Sequence, residues 1–190
     1  MSLLVVLVSL ASLPGCGSRP GHGPRSMMSD HDASAACLEE VTSLIAGSDV
    51  EGLVAAFSEA ARSADPDLAS DAEELMGILG GGTLSDGDFW SSQKTFPRGG
   101  NLIISKAIVT APDDTVWRIH IIDCTYDGDD PSQVGLRSIE VIPDSDEYAP
   151  REAPQGFGWY NESDEMPSGI RLITSWEGWD PWTSPYSPDW

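Results

Sequence analysis

The stretch TVWRIHIIDCTYDGDDPSQVGLRSIEVI, residues 115–142, decides the architecture. Two runs rich in β-branched and aromatic residues flank a connection of Asp, Gly, Pro and Ser, the pattern of two antiparallel strands and their turn. Alternation places Val116, Arg118, His120, Ile122, Cys124 and Tyr126 on one face of the first run. Trp117, Ile119, Ile121, Asp123 and Thr125 fall on the other. His120 and Asp123 therefore point oppositely, and a simple dyad between them is excluded. Glu140 or Asp88, on neighbouring strands, is the partner that acid and base work by His120 would need.

Upstream, DFWSSQKTF (88–96) and NLIISKAIVTA (101–111) have the same character and add two strands, joined by PRGG and followed by PDD. Before them the period changes. Cys37, Leu38, Val41, Leu44 and Ile45 recur at helical spacing after Ala33. Ser48 and Glu51 form a capping-box pair that opens a second helix with Val50, Leu53, Val54 and Phe57 on its inner face. Asp65, with Pro66 behind it, caps a third helix lined by Leu68, Ala72, Leu75, Met76 and Leu79, which ends at the glycines of 80–82. Three helices followed by four antiparallel strands predict an α+β domain, with N-terminal helices packed on one face of a curved sheet. The stretch 143–169 holds Pro143, Pro150, Pro154 and Pro167 and reads as a long loop whose Phe157, Trp159 and Tyr160 dock over the core or a pocket mouth. A last strand is expected around 170–174.

DDPSQVGLRSIEVI, with Pro131, Val134, Gly135, Leu136, Ser138, Ile139, Val141 and Ile142, resembles the hairpin and last long strand of a family of bacterial lipoproteins catalogued as domain of unknown function 5104. The helical first half and the later SGIRLI agree, so the resemblance covers about 37–173. It implies a cystatin-like cone of the nuclear transport factor 2 superfamily and transfers fold and location without a mechanism. The Trp-rich end departs from the family pattern.

Residues 3–13 are apolar, too few for a spanning helix of ~20 residues, and read as the core of an export signal. Leu13, Pro14, Gly15 and Cys16 then resemble a bacterial lipobox, which makes Cys16 the lipidation site and the bilayer a partner through its acyl chains. No Lys or Arg precedes the apolar run, and a hydrophobic N-terminal element with a buried cysteine is the competing reading. The organisation expected is a signal peptide over 1–15, a flexible tether over 16–30 that includes His22, a domain over 31–174 and an acidic Trp/Pro-rich tail over 175–190.

Of the chain's 190 residues, 31 are Asp or Glu and 10 are Lys or Arg, a formal charge of −21, so nothing offers the basic stripe that phosphate backbones require and nucleic acid is excluded as a partner. The strings YDGDDP and PDSDEY lack the ligand order of a calcium loop, and no metal or cofactor is expected. Cys37 and Cys124 are candidates for a disulfide in an oxidising compartment, with buried free thiols as the alternative. No nucleophile elbow, zinc-protease motif or Walker loop occurs, which leaves His120 as the one catalytic candidate. Trp176, Trp179 and Trp182 lie among Pro181, Pro185 and Pro188, which forbid a helix. With Trp159 these indoles are candidates for stacking on sugars. The expectation is an extracytoplasmic, lipid-anchored binding or interaction module for a small-molecule, glycan or protein ligand. A pocket enzyme using His120, or glycan and cell-wall binding by the tail, are the alternatives.

Overall fold

The computed structural model describes residues 21–84, 90–95, 100–143 and 168–173. Helix α1 (Asp30–Ala46) opens on Ser29, whose hydroxyl accepts from the Asp32 N–H, and Asp30 and Asp32 in the first turn favour the positive end of the helix dipole. Ala33, Cys37, Leu38, Val41 and Ile45 form its buried stripe, the face expected from their spacing.

Two local details differ from expectation. Ser48 adopts a left-handed φ of 52°, so the cap of α2 (Val50–Ala56) passes one residue on to Asp49, whose carboxylate accepts from Gly52 N at 2.9 Å. The second difference is a break at Phe57. Its backbone turns extended and bridges Leu136 in parallel, while Ser58 N donates to the Leu136 carbonyl at 2.8 Å. Ser58 then caps a separate short helix, α3 (Glu59–Ala64). Among the described residues four helices thus stand where three were expected. Asp65 does not cap the last, α4 (Leu68–Leu79); its carboxylate instead closes a turn on Asp67 N at 3.1 Å.

The strands are β1 (Thr83–Leu84), β2 (Trp90–Thr95), β3 (Asn101–Thr110), β4 (Val116–Tyr126), β5 (Gly135–Pro143) and β6 (Gly169–Leu172). They form one open sheet in the order β1-β3-β4-β5-β6, with β2 also paired to β3. All pairings are antiparallel except β5 with β6, which run parallel from Ser138 opposite Gly169. The expected final strand is therefore present over nearly the expected residues. A 3₁₀ turn, Pro131–Gln133, lies between β4 and β5. The helices cover one face, where Leu53, Phe57, Leu75 and Leu79 meet Trp117, Ile119, Ile121, Leu136, Ile139 and Val141. The architecture is α+β, helices first and sheet after, as the change of period predicts.

Residues expected in a flexible tether are, from Gly21 onward, held against the sheet. Gly23 N donates to the Thr125 carbonyl at 2.9 Å, Asp127 N donates to Gly21 O at 3.0 Å, and the His22 ring lies 4.5 Å from that of Tyr126. Gly21 has a φ of +79°, and a Cβ there would sit 2.4 Å from the Asp127 carbonyl oxygen, so the approach requires glycine. Residues 16–20 lie outside the described residues, as do Cys16 and the apolar run before it. No helix among the described residues is long and apolar enough to cross a membrane.

Candidate functional site

The sheet face turned away from the helices carries a row of ionisable side chains. The register sets Lys106 of β3 opposite His120 of β4, His120 opposite Glu140 of β5, and Glu140 opposite Arg171 of β6. Four neighbouring strands thus contribute one such residue each to a single line. His120 Nδ1 lies 3.2 Å from Glu140 Oε1, and Arg171 donates to Glu140 Oε2 at 2.8 Å. Glu140 is held on both oxygens. Arg118 lies one alternation along β4, and Ser138 lies one along β5 with its hydroxyl buried and without a hydrogen-bond partner. Leu102, Ile104, Ile122 and Cys124 make the rest of this face apolar.

His120 is fully buried and Glu140 is 3 % exposed. Burial pushes the His120 pKa below the usual imidazole range, against the opposing hydrogen bond and charge of Glu140 and with added repulsion from Lys106 and Arg118. Lys106 is also lowered, first by burial and then by Arg118, with Glu140 working in the other direction. Among the described residues the row sets Lys106, Arg118 and Arg171 near Glu140, and burial makes its histidine favour the neutral form.

Asp123 belongs to a different network on the helix-bearing face, as alternation requires. Arg25 Nε and one terminal nitrogen donate to the two Asp123 oxygens, both at 2.7 Å, and the other terminal nitrogen reaches Glu40 at 2.6 Å. Burial alone would lower the Arg25 pKa, but the Asp123 hydrogen bond and charge outweigh it and raise it. Between α1 and β3, the buried hydroxyls of Ser34 and Ser105 share a hydrogen bond.

The bridge considered between Cys37 and Cys124 does not form; both are free and buried. Cys37 belongs to the helix-side core and Cys124 to the cluster on the opposite face, so the sheet stands between them. Burial is the main reason that the Cys124 thiol is pushed up to about 12 and that Cys37 is raised further. In a Cys16→Ser chain, neither thiol is expected to react with iodoacetamide at pH 8 until the domain is unfolded, and mobility on a denaturing gel is expected to be unaffected by reductant. Fast native-state labelling of either cysteine would contradict this burial.

In YDGDDP the carboxylates serve the backbone. Asp127 accepts from Asp129 N and Asp130 N, and Asp130 accepts from Ser132 and Gln133, bonds that hold its pKa below the usual range, with the Ser132 contact foremost. Asp88, Phe157, Trp159, Tyr160, Trp176, Trp179 and Trp182 lie outside the described residues. Of the residues singled out from sequence, His120 and Glu140 are the pair brought together. Lys106 and Arg171 were not singled out, and Ser138 entered only through the family resemblance. Lys106 was within reach, because a hairpin centred on Asp113 places it opposite His120; Arg171 depends on a parallel pairing that alternation does not reveal.

A sheet with helices on one face and a polar row on the other makes this an α+β domain with a candidate site. The family model described as Domain of unknown function (DUF5104) matches residues 40–144, more than half of the chain, and the chain belongs to that family. The matched span takes in Lys106, Arg118, His120, Ser138 and Glu140 and leaves out Arg25 and Arg171. Comparison with curated proteins finds no match.

Proposed function

We propose that the protein is a lipid-anchored binding module on the extracytoplasmic face of a bacterial membrane, held by acylated Cys16, and that its ligand is an anionic small molecule seated on the Lys106–His120–Glu140–Arg171 row. The observation that carries the binding reading is the row itself. Burying charged groups opposes folding unless each is compensated, and apolar residues of similar volume would serve a sheet face at least as well. The chain nevertheless sets three of its 10 Lys and Arg residues, Lys106, Arg118 and Arg171, on the strands beside the buried His120 and Glu140 while its formal charge is −21. An anionic group has cationic side chains to meet there, and the buried Ser138 hydroxyl, which has no hydrogen-bond partner, offers a polar contact. The helices on one face of an open sheet also support the cystatin-like likeness.

The test uses the full chain extracted from native membranes in mild detergent, with co-purifying small molecules identified by mass spectrometry. The wild-type chain should carry an anionic species that a Lys106→Met, Arg171→Met double variant lacks. The same species on both chains, or none on either, refutes the seat. The anchor has its own check: Cys16→Ser should move the chain out of the detergent phase or leave it unprocessed, and unchanged partitioning removes the anchor from this reading. The second reading is an enzyme, favoured by the 3.2 Å contact that orients the His120 ring on Glu140. Turnover of the co-purified species that is lost in His120→Asn, with binding retained, would replace the first reading by the second.

A further inference from the structure

The other unusual cation is Arg137, and it owes its place to an irregularity in the ladder. Ile122 of β4 faces Ser138, but the next residue, Asp123, faces Leu136, so Arg137 is the extra residue of a β-bulge. Such bulges re-aim a side chain out of the regular alternation. Arg137 reaches the α2–α3 junction, where one terminal nitrogen donates to Ser58 Oγ at 3.1 Å. Its Nε is buried with no hydrogen-bond partner, the residue is 5 % exposed, and no carboxylate among the described residues forms an ion pair with it. The neighbouring acid, Asp130, spends its oxygens on Ser132 and Gln133. A guanidinium cannot escape burial by losing its proton, so the group stays charged and under-compensated.

Ser58, the residue that Arg137 bonds, lines a groove of about 370 Å³ bounded by the α2–α3 junction on one side and by Pro131, Ser132 and Val134, at the 3₁₀ turn and its end, on the other. Ser58 lines this groove, and its oxygen already accepts from both Arg137 and Ala61 N, which leaves the hydroxyl proton for an outside acceptor. Arg62 also lines it, with one terminal nitrogen fixed by the carbonyls of Phe57 and Ala55 and the remainder of the guanidinium available. Gly135 keeps the two walls close: its φ is +122°, and a Cβ there would press on the Ser58 backbone at 3.2 Å.

We propose that this groove is a second binding site, independent of the charged row, that takes a single oxyanion group, a carboxylate or a phosphate, on a small ligand between Arg62, Ser58 and the Arg137 behind it. Planar guanidinium groups match such oxyanions geometrically, and a volume of this order suits a small molecule. Glu59 is also on the lining, so the anion meets one like charge beside the two guanidinium groups.

The experiment titrates the full chain in detergent with sodium phosphate and, separately, with sodium acetate, reading the thermal midpoint at constant ionic strength set by sodium chloride. A saturable rise is expected with at least one of the two anions. Arg62→Ala, an exposed change that leaves the core intact, should weaken the apparent affinity about tenfold. Arg137→Met should fold, melt at or above the wild-type temperature without the anion, and lose the rise. An equal rise in all three chains would mean general screening of an acidic protein and would overturn the site; no saturable rise with either anion in the wild-type chain would overturn it as well. Should Arg137→Met fail to fold, the Arg62→Ala titration decides alone: unchanged affinity rejects the site.

Discussion

Replacing Arg25 with Ala is expected to lower the unfolding free energy by about 3–5 kcal/mol, the range for removing one partner of a buried ion pair. The reason is what remains behind. The Asp123 side chain is 2 % exposed and receives both of its short bonds from Arg25, so the alanine leaves a carboxylate buried without its counter-charge. Glu40 adds little, because it is 47 % exposed and its attraction is screened by water. The measurement is equilibrium urea unfolding followed by tryptophan fluorescence. A double change, Arg25→Met with Asp123→Leu, should recover most of the loss, since apolar residues of similar volume replace buried pairs at little or no net penalty. If Arg25→Ala alone loses less than about 1 kcal/mol, the 21–29 segment contributes nothing to the fold and the clamp is a surface contact in solution.

The second large effect is expected at Phe57. This side chain is 1 % exposed, and Phe57→Ala should remove about 3–5 kcal/mol through lost burial and the cavity left behind. Phe57→Leu retains most of the volume and should lose less than about 1.5 kcal/mol. The contrast between the two variants matters because Phe57 also marks the break between α2 and α3. Were the break its main contribution, through the extended backbone that bridges Leu136, leucine and alanine would behave alike. Thermal and urea unfolding of both variants separates the possibilities.

The parts of the fold that were legible in the sequence are those governed by near neighbours. The buried stripe of α1 and the alternation along β4 follow from residue spacing, and the hairpin at 111–115 follows from its turn residues. What stayed hidden was decided across the chain. Nothing local in VEGLVAAFSEAARSA stops a helix at Phe57; the Leu136 carbonyl does, by taking the Ser58 N–H. Arg25 sits in a Gly/Pro-rich stretch that reads as a mobile linker, and its order comes from a carboxylate 98 residues away. The site divides in the same manner. His120 and Glu140 could be considered together from strand order, whereas the aim of Arg137 depends on a bulge, and a bulge is a property of two strands rather than of one.

Under the proposed acylation of Cys16, the clamp at Arg25 would also set the mechanics of attachment to a bilayer. With Gly21 and Gly23 bonded to the end of β4, the leash from an acylated Cys16 is only the stretch up to Gly21. Five residues span at most ~17 Å when fully extended, about two to three times the depth of one lipid headgroup layer. On that proposed anchor, a domain with so short a leash would be confined to a narrower range of heights and tilts than one on a tether running to residue 30, with the His22–Tyr126 corner next to the leash. Freed from the sheet, residues 21–29 would add about 30 Å of play. Arg25 and Asp123 would then act as the catch that sets how far from the surface this protein can search.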